Sequence, residues 1–179
     1  MENIETKPAG SEVKSAVMRH LKMYSKQDVL SLTKIRRFET KLGERLQVVN
    51  NSADIEKSIA ASSARYVLFG VPEDLGAKGN YGIGGADTLW IPFLQSLLNI
   101  QSNDFFDGGE ILLVGHFDFG DMQYLIDTTA RGEEEKIEAY RHAVIAIDDE
   151  VEHLTKIITE NKKIPIVIGG GHNNTYPLI

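Results

Sequence analysis

Three short apolar runs that alternate with helical stretches constrain the fold of this chain more than any other feature. Residues 65–71, 110–115 and 164–168 have the continuous apolar character of buried strands. Residues 87–99 and 133–161 instead repeat apolar side chains every three or four positions, which is typical of helices. The order strand–helix–strand–helix–strand predicts βαβ units, a parallel sheet and right-handed crossovers, so the expected fold class is α/β.

The helix predicted over residues 133–161 carries an apolar stripe that two structures could explain. The stripe consists of Ile137, Tyr140, Val144, Ile147, Val151, Leu154 and Ile158. Such spacing could form a coiled-coil seam. The strands on either side favour the other interpretation, a crossover helix lying on the sheet.

The residues before position 65 show no comparable alternation. Residues 1–10 are polar and are expected to form a disordered lead. Residues 11–64 predict a helical N-terminal extension rather than the start of a sheet, with Asp28 as the cap of a second helix and a further short helix over 54–64. Residues 65–179 then form the α/β domain, which we interpret as truncated.

Charge and composition exclude several functional classes. The net charge is −7, so a nucleic-acid groove or a contact with an anionic membrane is not expected. The absence of cysteine excludes thiolate nucleophiles and cysteine-ligated zinc. The sequence shows no signal peptide and no apolar stretch of about 20 residues, which predicts a cytoplasmic protein.

The last predicted strand runs into Ile168-Gly-Gly-Gly-His-Asn. Glycines allow a sharp turn at the carboxyl end of a strand, where open α/β sheets bind ligands. The phosphate-binding patterns do not fit, because no Lys-Ser/Thr follows the glycines and the spacing is not G-x-G-x-x-G. His172 could be a metal ligand or a histidine hydrogen-bonded within a strand–helix turn, and these residues alone leave both interpretations open.

A second glycine-rich segment follows the first predicted strand. It begins Gly70-Val-Pro-Glu-Asp and continues through Gly-Ala-Lys-Gly-Asn-Tyr-Gly-Ile-Gly-Gly-Ala to Asp87. It could pass close to a ligand or serve as a flexible connector. Because its strand is expected to neighbour the last one, the two glycine-rich segments should lie at the same edge of the sheet.

Together the two segments resemble the ureohydrolases, the family of arginase, agmatinase and formimidoylglutamase. Gly-Gly-Gly-His is similar to the family's first metal-binding motif, which is Gly-Gly-Asp-His-Ser in arginases, and is closest to the formimidoylglutamase branch. The resemblance covers residues 65–179 and implies a three-layer α/β/α fold. It also implies a manganese-dependent hydrolase of linear amidines such as formimidoylglutamate, arginine or agmatine.

The same resemblance assigns roles to a few residues. His172 corresponds to a ligand of one ion in a two-manganese cluster, and Lys78 and Asn80 correspond to substrate-binding positions. The family's other ligands come from Asp-x-His-x-Asp and Asp-x-Asp motifs, which do not occur in this sequence. We therefore expect no catalytic residue here and an inactive N-terminal portion of a longer hydrolase.

Other acidic and histidine residues are not assigned to the metal. Asp118 and Asp121 match a non-ligand acidic turn of the family, and we interpret His116 as structural. In the family the strand order begins 2-1-3, so the last strand predicted here should present an apolar edge. Such an edge favours self-association into a homo-oligomer.

The rival interpretation is a self-contained α/β binding module. Its glycine-rich crevice would hold a nucleotide or a protein partner.

Overall fold

The computed structural model describes residues 18–50 and 54–178. The predicted lead over residues 1–10, the first half of the helix expected from Ser11 and most of the turn predicted at residues 50–52 lie outside the described residues. The strands are β1 (Leu21–Met23), β2 (Gln47–Val48), β3 (Tyr66–Gly70), β4 (Ile111–Phe117) and β5 (Ile164–Ile168). The α-helices are α1 (Lys26–Ser31), α2 (Leu42–Arg45), α3 (Ile55–Ala61), α4 (Leu75–Gly79), α5 (Trp90–Leu98), α6 (Gly120–Thr129) and α7 (Glu133–Glu160).

The five strands form one mixed, mainly parallel sheet, which confirms the α/β class. Its order is β1-β4-β3-β5, with β2 also pairing with β4. The strands β2, β3 and β5 run parallel to their neighbours, whereas β1 is antiparallel to β4. The three strands predicted from sequence therefore lie in the order second-first-third.

Helices cover both faces of this sheet. Side chains alternate along β3, so that Val67 and Phe69 pack in a cluster with α7, and Leu68 packs in a cluster with α5. The apolar stripe of α7 is buried in the first cluster from Ile137 to Ile158, except for the half-buried Val144, which confirms the crossover interpretation over a coiled-coil seam. Two crossovers on opposite faces make the sheet doubly wound.

The described part of the predicted helical extension contains the helices α1, α2 and α3, but it also contributes the short strands β1 and β2 to the sheet. Leu21 and Met23 belong to β1 and are partly buried, while Lys22 between them is exposed. Leu21, which the helical spacing placed on the apolar face of a helix, instead belongs to an edge strand with alternating burial. The cap of α1 also differs, since Ser25 caps the helix and Asp28 completes a capping box at its third position.

The edge strand β5 pairs with β3 and with no other described strand. Ile164 donates its N–H to Arg65, and the carbonyl of Ile168 accepts from Val71, so alternate residues of β5 bond to β3. Pro165 thus directs its nitrogen, which has no hydrogen, away from β3, where a proline is tolerated. The predicted self-association through this edge stays a prediction.

A close approach of two strands at Gly115 gives the first testable prediction. Its φ is +147°, and a Cβ atom there would lie 1.9 Å from the carbonyl oxygen of Lys22 in β1. We expect Gly115→Ala to lower the free energy of unfolding by about 2 kcal/mol or more, because the methyl group forces β1 away from β4. Urea denaturation measures the change.

The matched control is Gly132→Ala. Gly132 has extended backbone, and a methyl group added there would have no other atom within 4 Å. It should cost less than about 1 kcal/mol. Equal losses for the two variants would contradict the assigned β1–β4 contact.

Candidate functional site

The two glycine-rich segments meet at the carboxyl ends of β3 and β5. β3 is followed by α5 on one face of the sheet and β5 is preceded by α7 on the other, so the strand order reverses its direction at this pair, as at a topological switch point. Open α/β sheets bind ligands at such points, because the loops diverge and leave space between them. The predicted proximity of the two segments is confirmed.

A buried carboxylate, Glu73, joins the two segments. Its Oε2 accepts the N–H groups of Leu75 at 2.8 Å and Gly76 at 3.3 Å, in its own loop. Its Oε1 accepts the N–H of Gly171 at 2.7 Å and the Nδ2–H of Asn174 at 2.8 Å, in the loop after β5. Only 1% of Glu73 is exposed. Four donors thus compensate the charge of a carboxylate that is withdrawn from water.

The neighbouring Asp74 organises the glycine-rich loop after β3. Its Oδ2 accepts the N–H of Gly85 at 2.9 Å, which draws the far end of the loop back to its start. Its Oδ1 lies 2.8 Å from the Nζ of Lys78. The short helix α4 begins directly after Asp74 and contains Lys78, in a segment that the sequence predicted to be a loop.

The segment after β5 turns sharply and forms a 3₁₀ helix over His172–Leu178. Gly170 has φ +87°, and a Cβ atom there would lie 2.1 Å from Nδ2 of Asn174. A glycine is therefore required for Asn174 to reach Glu73. The preceding residue, Asn173, donates to Asp148 of α7 at 3.3 Å and so fixes the turn to the helix.

A cavity of about 370 Å³ opens between the two segments and α7. We call it the switch cavity. Its lining consists of Gly76, Ala77, Gly79, Asn80, Gly82, Arg141, Val144, Gly171, His172 and Asn173. The volume is that of a small-molecule pocket.

Of the three site residues predicted from the sequence, Asn80 and His172 line this same cavity. Lys78 does not line it, and its ammonium group is paired with Asp74. The cation at the cavity is Arg141, whose Nε donates to the carbonyl of Gly79 at 2.9 Å and whose Nη1 contacts Glu138.

The described residues do not fit a manganese ion on their own. Manganese prefers about six ligands, mostly oxygen, in octahedral array. His172 is exposed, and no group of three His, Asp or Glu side chains suited to a metal occurs within residues 18–50 and 54–178. His172 could therefore be one ligand of an ion only if the remaining ligands came from outside the described residues.

The acidic turn after β4 lies outside the switch cavity. Asp118 lines a separate cavity together with His116, and Asp121 lies 3.7 Å from His20. None of these residues lines the switch cavity.

Comparison with known proteins gives no family. No family model matches the chain, and no curated protein or solved structure matches it significantly. Within the described residues, no helix is both long enough and apolar enough to span a bilayer.

The Glu73 network generates a prediction about stability. In Glu73→Gln, either orientation of the amide directs its NH₂ group at two hydrogen-bond donors. We expect the free energy of unfolding to fall by about 2–4 kcal/mol, with faster hydrogen exchange at the Gly171 amide. Glu152→Gln, an exposed change on α7, should alter neither quantity. Unchanged Gly171 exchange in Glu73→Gln would contradict the role given to this carboxylate.

Asp148 gives a prediction about pH. Withdrawal from water raises the pKa of Asp148, and the negative charge of Glu73 raises it further. The hydrogen bond from Asn173 acts in the opposite direction and lowers this pKa. Folding thus favours the protonated carboxyl. That contribution is present below the unfolded pKa of about 3.9 and is lost as the pH rises through the folded value.

Asp148→Asn should consequently raise the melting temperature at pH 7. We expect a rise on the order of 1 °C, because Asp148 is only partly buried and solvent screens its charge. The gain should vanish at pH 3, where the wild-type carboxyl is protonated, and calorimetry at both values measures it. A destabilised variant at pH 7, with Glu152→Gln unchanged, would contradict the raised pKa.

Proposed function

We propose that this chain forms part of a ureohydrolase-type enzyme that hydrolyses linear amidines, with the switch cavity as part of its substrate crevice. The observation that carries the proposal is the Glu73 network. The family resemblance depends on two motifs that are about 100 residues apart in the sequence, and Glu73 of the first accepts hydrogen bonds from Gly171 and Asn174 of the second. Two motifs of one active site are expected to be in such contact.

The position of the cavity also supports the proposal. It lies at the switch point of a doubly wound sheet, and the three central strands have the second-first-third order that the resemblance implies. The arginase-like version of the α/β fold is part of the same proposal.

In this proposal the cavity residues bind and orient the substrate. Asn80 offers an amide whose NH₂ group can donate to a carboxylate and whose oxygen can accept from an amidine, and Arg141 offers a cation held by the carbonyl of Gly79. Lys78 would have to exchange its partner Asp74 for the substrate, so we propose that it contributes less than the sequence suggested.

We propose that His172 supplies one nitrogen ligand to a manganese ion. When bound, such an ion would lower the pKa of a water molecule beside the substrate. The other ligands must come from outside the described residues, so no further step can be attributed to this chain. What the chain itself contributes is a histidine fixed in place beside the cavity by the Asn173–Asp148 and Asn174–Glu73 contacts.

The test is hydrolysis of formimidoylglutamate, arginine and agmatine by the natural gene product in the presence of Mn²⁺. We expect release of formamide or urea from one of the three. His172→Ala should lower kcat about a hundredfold or more and weaken Mn²⁺ binding measured by calorimetry. His142→Ala, which removes an exposed histidine of α7 that does not line the cavity, should leave both unchanged.

One observation favours a second function, a small-molecule binding module. The described residues form a cavity of suitable size but no cluster of metal ligands. Mn²⁺-independent binding of a small molecule, abolished by Asn80→Ala and accompanied by no hydrolysis of the three amidines, would support the module and contradict the hydrolase.

A further inference from the structure

A second cavity, of about 290 Å³, lies at the same edge of the sheet and shares no lining residue with the switch cavity. We call it the His116 cavity. It is enclosed by the end of β4, the start of α5, the start of α6 and the segment after β3. Its lining consists of Pro72, Glu73, Leu75, Asp87, Trp90, Ile91, His116, Asp118, Phe119, Gly120 and Gln123.

The ring of His116 is held by aromatic neighbours and lacks a polar partner. It lies edge-on to Tyr24 with centroids 5.5 Å apart, and 6.2 Å from the ring of Trp90. The indole N–H of Trp90 donates to the Tyr24 hydroxyl at 3.0 Å, so this wall is fixed. The buried Nδ1 of His116 makes no hydrogen bond to the described residues. An unmade hydrogen bond of this kind is costly for the fold.

Burial lowers the pKa of His116, against the charge of Asp118. Its imidazole is accordingly neutral at neutral pH, and Nε2, rather than the closed-off Nδ1, is the ring nitrogen that can accept a hydrogen bond from a ligand in the cavity. The cavity therefore offers acceptors in its wall without adding a positive charge.

The charges around the cavity have one sign. Asp87 and Asp118 are exposed carboxylates, and Glu73 is buried with its oxygens occupied by four donors. The described lining contains no lysine and no arginine. The two exposed carboxylates of the lining would repel an anionic ligand, whereas a cation with N–H groups would find carboxylate acceptors.

The remaining wall is apolar. Pro72, Ile91 and Phe119 offer no polar side-chain atom, and Trp90 adds its ring. At about 30 Å³ per water, the volume corresponds to roughly ten water molecules, which is at the small end of ligand pockets.

We propose that the His116 cavity binds a small organic cation, a primary ammonium group on a short apolar chain. The ammonium donates to Asp87 and Asp118 at the rim and to the neutral imidazole of His116, and the chain lies against Ile91 and Phe119. This site is separate from the amidine crevice and does not depend on the proposed hydrolase function.

Trp90 makes the test direct, because it is the only tryptophan in the sequence and it lines the cavity. The probes are n-butylammonium, n-butanol and butyrate, which share a chain and differ in charge. At matched pH and ionic strength we expect n-butylammonium to change the Trp90 fluorescence in a saturable way, with a dissociation constant on the order of millimolar. Butanol should bind more weakly, and butyrate should give no saturable change.

Variants then assign the contacts. Asp87→Asn, Asp118→Asn and His116→Gln should each weaken n-butylammonium binding about tenfold. Asp104→Asn, an exposed carboxylate outside the cavity, is the control and should bind normally. Binding should also persist in His172→Ala, so failure here and failure of the hydrolase proposal can be told apart. Circular dichroism checks folding, and Asp87 is exposed enough for its variant to fold even if His116→Gln does not.

Three results would overturn the proposal. They are an absence of saturable n-butylammonium binding, a preference for butyrate, or equal weakening by Asp104→Asn and Asp87→Asn.

Discussion

The buried carboxylate of Glu73 is the interaction on which the arrangement of the site depends. It lies three residues after the end of β3 and accepts from both the loop after β3 and the loop after β5. A charge withdrawn from water this completely is tolerated only when donors surround it. Each donor is therefore constrained, and the positions of the two loops are fixed relative to each other rather than independently.

That constraint explains the local sequence around it. Three glycines follow β5 because Asn174 must reach back under the turn to Glu73, and a side chain at Gly170 would occupy the position of the Asn174 amide. The strands supply the frame, since the parallel pairing of β3 with β5 brings both loops to one edge. The long helix α7 then closes the site from one face, through Asp148 and Arg141.

Most of the central fold could be predicted from the sequence, because its signals are local. The apolar runs at residues 65–71 and 164–168 and the stripe of α7 each carry a periodicity that burial imposes on every residue of the element. β1 and β2 could not be predicted in this way. They are two or three residues long and exist because β4 offers an unpaired edge, which is information that residues 21–23 and 47–48 do not contain.

The candidate site likewise contains residues that the sequence could predict and residues that it could not. The glycine-rich segments and His172 have a recognisable pattern, and their parallel strands allowed their proximity to be inferred. The part played by Glu73 was missed, although an acidic residue shortly after a buried strand was a usable signal. Arg141 had no such signal, because the direction of a helical side chain toward a loop depends on how the helix packs on the sheet.

The segment that carries Glu73 also separates two cavities of opposite character. On one side Arg141 and His172 line the switch cavity, and on the other Asp87 and Asp118 line the His116 cavity. A carboxylate between them that remained free to bind ligands would bias both cavities toward cations. Because four donors occupy its oxygens, its charge is largely satisfied within the protein. The charge that each cavity presents to a ligand is thus set by its own lining residues rather than by Glu73, although both cavities lie at one edge of the sheet.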